Sequence, residues 1–502
     1  MTAPADYQPP PLVWRECTNS TLVQFGAKCA LLTVPLDYAN PSGPKIKIAV
    51  SRIKHTTSDA DAQGIMLTNP GGPGGSGLVL SVLGNFIPGG GGAPYDWIGF
   101  DPRGVGESQP RLACTGGYFP YNRPDYVPRT AALRDFWLAK SARYAAMCGQ
   151  AGGALLDHLK TTDSVNDMES IRKALGANTI NYYGFSYGTY LGQVYATLHP
   201  DRVRRMVMDG VLNSRRAYYL ANLDQDRQFD RNMDVFFGWV AKYNSVYHLG
   251  KTTEVVRDRW YALLRQSRRA PFAGKVGPDE WTDSFLSAAY GVGGWPTFAG
   301  VFAATAGGNY DPIVELYGGV YGSGPGSDNL FAVYNAVQCT DVKWPGWAQT
   351  SRDNWAVHRE APFITWSNAW FNAPCLTWPG RPGTKVTVNG SRVAPVLFIA
   401  ETGDGATPFT GALLARSLFP RSVLIEGVGG TTHSGSLSGI ACTDNRIGRY
   451  LLTGRLDARK PGAWTSDVRC PPVPQPDPTA KAATADRLPT AVRDALSTAQ
   501  RH

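Results

Sequence analysis

The chain has 502 residues, 43% hydrophobic and 18% charged, with a formal net charge of +9. That length suits one large domain carrying an insertion, or several ordinary domains, and the composition excludes a disordered chain. The basic residues are scattered, and knots such as RVRR (202–205) and RQSRR (265–269) are not interleaved with aromatics, so the charge reads as a solvated surface and nucleic acid is excluded as a partner.

No apolar run reaches 18 residues, so no membrane span is expected. The opening MTAPADYQPPP has no basic stretch followed by an apolar one, hence no signal peptide. In chain order, strand-like runs are KIKIAVSRI (45–53), GIMLTN (64–69), YDWIGFD (95–101), TINYYGF (179–185) and RMVMDG (205–210). Ahead of the fourth lies a helical pattern, TTDSVNDMESIRKALG (161–176). Its Val165, Met168, Ile171 and Leu175 form one stripe, with Thr162 or Asp163 to cap the first turn and Gly176 to end the last. Strand, helix and strand in repetition predict an α/β fold with a mostly parallel sheet covered by helices on both faces.

From about 216 the texture changes to helical patterns, NLDQDRQFDRNMDVFFGWVAKY and VVRDRWYALLRQ, followed by a Gly/Trp/Tyr-rich region. APVLFIAETGD (394–404) and SVLIEGV (422–428) restore the strand pattern, with helical GALLARSLF between them. The expected organisation is a core over 1–215 and 389–473, a helical lid over 216–388 and a Pro/Ala-rich tail over 474–502. Such a lid covers the carboxyl ends of the strands, where open α/β sheets bind ligands. The tail reads as mobile or loosely docked.

The run TINYYGF-S-YGTYLGQ places Gly184-Phe185-Ser186-Tyr187-Gly188 between a strand and a helix. A nucleophile at a sharp strand-to-helix turn needs small residues two before and two after it, because the backbone passes close to its neighbours. Gly184 and Gly188 meet that need, and the Tyr187 N–H would point from the helix N-terminus toward developing negative charge. A serine attacks only with a base to take its proton. In enzymes built on this turn the acid and then the histidine follow the nucleophile, in loops after late strands. Asp404 follows PVLFIAETG and His433 lies in GVGGTTHSGS after SVLIEGV. Asp209, closing RMVMDG, is the rival acid. TNPGGPGGSG (68–77) follows an early strand and fits the loop giving the second oxyanion donor, Gly72 or its neighbour Gly71. DPRGVGES (101–108) reads as a structural turn, with Asp101 and Arg103 bracing loops.

Eight cysteines fall in four local couples, Cys17/Cys29, Cys114/Cys148, Cys339/Cys375 and Cys442/Cys470, without zinc-site spacing. Disulfides in that pattern would each stabilise by about 3 kcal/mol in the chain-entropy picture and belong to an oxidising compartment. The expected form is a mature secreted monomer that needs no metal or organic cofactor.

With LTVPLDY (32–38), NPGGPGGSG, DPRGVGES, YYGFSYGTYLGQVYA, VMDGV, AVQCTD (336–341), PCLTWP (374–379) and the stretch from GDGATPFTGALL to GTTHSGS, the chain resembles the secreted actinobacterial tripeptidyl aminopeptidases over about residues 12–473. These are serine exopeptidases of the α/β-hydrolase fold, more distantly related to prolyl aminopeptidases. The resemblance implies Ser186 as nucleophile with Asp404 and His433, a helical lid, export and paired cysteines. The implied reaction is peptide hydrolysis near a free N-terminus through an acyl-enzyme, releasing short peptides. An esterase, lactonase or amidase acting on a small acyl substrate is the alternative, and a non-catalytic binding scaffold is a third reading. An exopeptidase must also bind an ammonium group, for which Asp224, Asp226, Glu254, Glu280, Asp283, Glu315 and Asp341 are the acids in or near the lid.

Overall fold

The computed structural model describes residues 7–322, 324–480 and 488–500. Its strands are β1 (Arg15–Glu16), β2 (Lys28–Pro35), β3 (Lys45–Ile53), β4 (Ile65–Asn69), β5 (Asp96–Phe100), β6 (Ile180–Phe185), β7 (Val203–Asp209), β8 (Val396–Glu401), β9 (Val423–Gly427) and β10 (Val468–Cys470). They form one sheet in the order β1-β2-β3-β5-β4-β6-β7-β8-β9-β10, antiparallel from β1 to β5 and parallel from there on. Every residue of β4, β6 and β8 is buried, as expected where helices cover both faces of a parallel sheet.

The first part of the chain carries α1 (Ser20–Gln24), α2 (Ala131–Gly152), α3 (Thr161–Ala174) and α4 (Tyr187–Leu198). Between β7 and β8 come α5 (Tyr219–Lys242), α6 (Asn244–Tyr247), α7 (Thr253–Arg269), α8 (Pro278–Tyr290), α9 (Trp295–Ala306), α10 (Asp311–Gly318), α11 (Asn329–Asp341), α12 (Trp347–Glu360) and α13 (Thr365–Asn372). The last helices are α14 (Thr410–Leu418), α15 (Ala441–Thr453) and α16 (Thr490–Gln500).

Alternation along the strands divides the sheet's core in two. Leu67, Tyr182 and Met206 pack with Val165, Met168 and Ile171 of α3 and with Leu191 and Val194 of α4. Their neighbours Met66, Tyr183 and Val207 face the other way, onto Leu83, Ile447 and Leu451. In α3 the Asp163 carboxylate accepts the Lys160 N–H (3.1 Å), which closes the first turn, and Gly176 follows the last turn at φ +64°. The insertion has an apolar cluster of its own, centred on Phe229, Phe236, Trp260, Trp281, Phe285 and Trp295.

Part of the tail is more firmly held than its composition suggests. Val492 and Leu496 of α16 are buried in the cluster on the Leu83 face, and the Trp239 indole N–H donates to the Pro476 carbonyl (2.8 Å). Disulfides join Cys17 to Cys29, Cys114 to Cys148, Cys339 to Cys375 and Cys442 to Cys470. Among the described residues no helix is long and apolar enough to cross a membrane.

Candidate active site

The chain leaves β6 and enters α4 through Ser186, whose backbone sits at φ 55°, ψ −126°. A serine at positive φ is strained and persists only where its surroundings hold it. Here the Ser186 N–H donates to the Asp209 carbonyl (3.0 Å). A Cβ on Gly184 would lie 2.7 Å from the Gly188 oxygen, and one on Gly188 would lie 2.7 Å from the Asn69 oxygen. A larger residue at Gly184 would push α4 off β6, and one at Gly188 would push it off β4.

Against that elbow lies the loop after β4. A Cβ on Gly71 would fall 2.6 Å from the Phe185 oxygen and 2.9 Å from the Tyr187 nitrogen. The Gly71 N–H already donates to Asn69 Oδ1 (3.0 Å). Among the described residues the Gly72 N–H has no hydrogen-bond partner, and the Tyr187 N–H, first in its helix, has no intrahelical acceptor. These two donors are therefore available to an oxyanion and Gly71's is not. Asp101 holds the far end of the loop, accepting from Ser76 Oγ (2.7 Å) and the Gly77 N–H (2.9 Å). Arg103 pairs with buried Asp167 through two hydrogen bonds of 2.7 Å.

The imidazole comes from the loop after β9. His433 Nδ1 lies 2.9 and 2.8 Å from the two Asp404 oxygens, and both side chains are fully buried. Thr407 completes the pair, its N–H donating to Asp404 Oδ1 and its hydroxyl to Oδ2, each at 2.8 Å. A Cβ on Gly210 would touch His433 Cε1 at 2.7 Å, and Gly210 follows the residue whose carbonyl anchors Ser186. The ring is thus packed beside the elbow. His433 Nε2 is buried and, among the described residues, has no hydrogen-bond partner, so its lone pair is not engaged elsewhere. No hydrogen bond joins it to Ser186 at rest, and such contacts commonly tighten only with substrate bound.

Asp209 is placed otherwise. Its Oδ2 accepts the Ser436 N–H (2.8 Å), and burial pushes its carboxyl up to about 6. It braces the histidine loop and does not reach the imidazole nitrogen. Of the acids considered for an ammonium, Asp224 pairs with Arg216, and Glu280 and Asp283 share Arg123 (2.9 and 2.7 Å). Glu254 and Glu315 are exposed. Asp341 accepts from the Thr161 N–H (2.7 Å) and the Tyr218 hydroxyl (2.7 Å), behind the Tyr187 ring. Asp226, in α5, is buried, is bonded to Asn368 Nδ2 (2.8 Å) and, like Asp341, has no ion-pair partner among the described residues. It lines a narrow cavity of about 20 Å³ between α5, α12 and α13. Asn372 lines the same cavity, and its Oδ1 is buried without a partner. Among the described residues no cluster of three or more His, Cys, Asp or Glu is arranged to hold a metal ion.

Residues 64–437 match the α/β hydrolase fold family. Over 484 residues the chain is 39% identical to tripeptidyl aminopeptidase of Streptomyces lividans, covering 93% of this chain and 87% of that one. The chain belongs to the tripeptidyl aminopeptidase family of α/β hydrolases. It is also 28% identical to serine protease Hip1 of Mycobacterium tuberculosis over 88% of this chain and 89% of that protein. It is equally similar, at 28%, to a carboxylesterase B of M. tuberculosis, over 89% and 86% respectively.

In this tripeptidyl aminopeptidase family member, four supports of the site carried no readable sequence signature. Thr407 is one. Glu401, at the end of β8, accepts the Thr432 N–H (2.5 Å) and the Val473 N–H (2.6 Å) and so fixes the loop before His433. The Tyr290 carbonyl accepts the His433 N–H (2.8 Å), and Asn232 of α5 donates to the Ala289 and Gly403 carbonyls (both 2.9 Å). The last two tie the insertion to the loops that carry His433 and Asp404.

Two expected results follow from this packing. Gly71→Ala pushes the loop off the elbow, so kcat should fall about 10²–10³-fold, as for loss of an oxyanion donor, with KM changed far less; steady-state kinetics checks it. Burial raises the Glu401 carboxyl to about 7 from an ordinary 4.5. The folded protein then keeps that proton to higher pH than the unfolded chain does, so its contribution is full below about 4.5 and is lost as pH rises through about 7. Glu401→Gln should therefore flatten the fall in Tm between pH 5 and pH 8, as measured by calorimetry.

Proposed function

We propose that this chain is a serine exopeptidase that hydrolyses peptide bonds near a free N-terminus and releases short peptides, tripeptides above all. The observation that carries the reading is the buried Asp404–His433 pair packed beside a strained seryl elbow. In the proposed reaction Ser186 attacks the scissile carbonyl while His433 Nε2 takes its proton. Asp404 orients the imidazole and stabilises the imidazolium. The N–H groups of Tyr187 and Gly72 hold the oxyanion. His433 then protonates the leaving amine, and water, activated by the same imidazole, releases the acyl group from Ser186. The four disulfides support work in an oxidising, extracellular setting.

Asp226 is the proposed seat of the substrate ammonium, because it is buried, forms no ion pair among the described residues and shares a cavity with Asn372 Oδ1, a second acceptor without a partner. The test compares free and N-acetylated tripeptide p-nitroanilides. Burial raises the Asp226 carboxyl to about 8, so a bound ammonium would draw off its proton and gain a charge-assisted hydrogen bond worth about 1.5–3 kcal/mol; acetylation should lower wild-type kcat/KM by about 10²-fold. Asp226→Asn should bring the free substrate down to the acetylated level while leaving the acetylated one unchanged. Equal wild-type rates would remove the ammonium requirement and favour an esterase, lactonase or amidase using the same three residues.

A further inference from the structure

The six residues after β10, PPVPQP (471–476), lead from the core sheet to the insertion. The sheet holds their near end, where the Val428 N–H donates to the Cys470 carbonyl (3.0 Å). Trp239 of α5 holds the far end, its indole N–H donating to the Pro476 carbonyl (2.8 Å). We propose that this segment is a strap that keeps His433 in its working position, with Pro472 and Val473 as positioning residues; the inference rests on the reading of His433 as the general base.

The strap lies directly on the histidine loop. A Cβ on Gly430 would fall 2.4 Å from Pro472 Cβ, and one on Gly435 would fall 3.0 Å from Val473 Cγ2. These glycines stand three residues before His433 and two after it, so the loop is packed against the strap on both sides of the imidazole's own residue. Neither is at positive φ, so close approach, and not backbone conformation, demands glycine there. Glu401 makes a further joint between the same two segments, its Oε1 accepting the Val473 N–H (2.6 Å) and its Oε2 the Thr432 N–H (2.5 Å).

The chemistry of the segment suits a strap. Four of the six residues are proline, which fixes φ and leaves less conformational entropy to lose on ordering. Only Val473 and Gln475 carry a backbone N–H, and that of Val473 goes to Glu401. The segment also joins the loop to the insertion, because Val473 packs against the insertion's aromatic cluster. Since the Tyr290 carbonyl at the end of α8 accepts the His433 N–H (2.8 Å), the insertion holds the imidazole's loop from two directions. A misplacement of about 1 Å caused by a change far from the chemistry can cost about 10²-fold in rate, so displacing the strap should lower kcat while the binding surfaces keep KM.

The test is a double-mutant cycle across the contact between Val473 and Gly435. Steady-state kinetics are measured on a tripeptide p-nitrophenyl ester, which a serine peptidase and a serine esterase both hydrolyse. Gly435→Ala presses on Val473 and should lower kcat about tenfold or more, with KM within about threefold. Val473→Ala withdraws its methyl groups from the loop and should lower kcat about threefold or more, again with KM within about threefold. Combining the two seats the new methyl where the valine's was and should bring kcat back to within about twofold of wild type. A fall in Tm with kcat retained in both single variants overturns the proposal, because a merely structural contact moves stability and leaves the rate constant alone. A pair no faster than Gly435→Ala overturns it too. If Gly435→Ala does not fold, Val473→Ala decides alone, and an unchanged kcat there ends the strap's role. His433→Ala is measured first: wild-type kcat in that variant ends the reading of the histidine as the base, and the strap's role with it.

Discussion

Asp404→Asn is expected to lower kcat about 10⁴-fold, the loss that follows when a histidine is held in the wrong tautomer by an amide. Both Asp404 oxygens face His433 Nδ1 and both accept from Thr407. The ring N–H therefore has a carboxylate to donate to, and the lone pair is kept on Nε2. An asparagine presents one carbonyl and one NH₂, and Thr407 competes for the carbonyl. Asp209→Asn is the informative companion. Asp209 accepts from the Ser436 backbone and makes no hydrogen bond to the imidazole, and an asparagine oxygen still accepts that N–H. Its kcat should stay within about tenfold of wild type, since no charge on the triad is lost. Comparable losses in the two variants would reassign the acid.

Ser186→Ala should cost about 10⁶-fold in kcat, and Ser186→Ala combined with His433→Ala should cost no more, because members of one catalytic unit are grossly non-additive. The measurement is burst and steady-state kinetics on a tripeptide chromogenic substrate, with thermal unfolding as the folding control. An additive double variant would mean that serine and imidazole do not work together.

How far the sequence discloses these roles depends on what kind of signal each residue carries. The elbow is legible because a buried strand, a serine between glycines and a helix occur without a gap, and each glycine is demanded by a contact under 3 Å. The choice of acid is less legible. Asp209 and Asp404 both end or follow neighbouring parallel strands, β7 and β8, paired through Asp209 and Ile399, and only the loop geometry after each decides which meets the histidine. Glu401 and Thr407 are silent in the sequence. An acid at a strand end reads as solvated and a loop threonine reads as nothing, until folding buries them against His433 and its loop.

The insertion shows a different limit. In α11 every residue except Leu330 is buried, so there is no polar face and no amphipathic period to read. Helices of the Gly/Trp/Tyr-rich stretch are held by aromatic packing more than by propensity, as where Trp347 stacks on Trp370 with centroids 5.2 Å apart. The strand β2 also passes unread, although half-buried and buried residues alternate along it as far as Val34, because it has no clear polar face and ends in Pro35. The α16 helix is hidden by composition, since Val492 and Leu496 are too few to mark a docked face.

The most direct test of the account is covalent labelling with a fluorophosphonate, followed by peptide mapping and by labelling rates in variants. The result expected is a single adduct on Ser186, formed in wild type and slowed about 10³-fold or more by His433→Ala, because the hydroxyl then has no base to take its proton. An adduct on another residue, or a Ser186 adduct that forms as fast without His433, would contradict it.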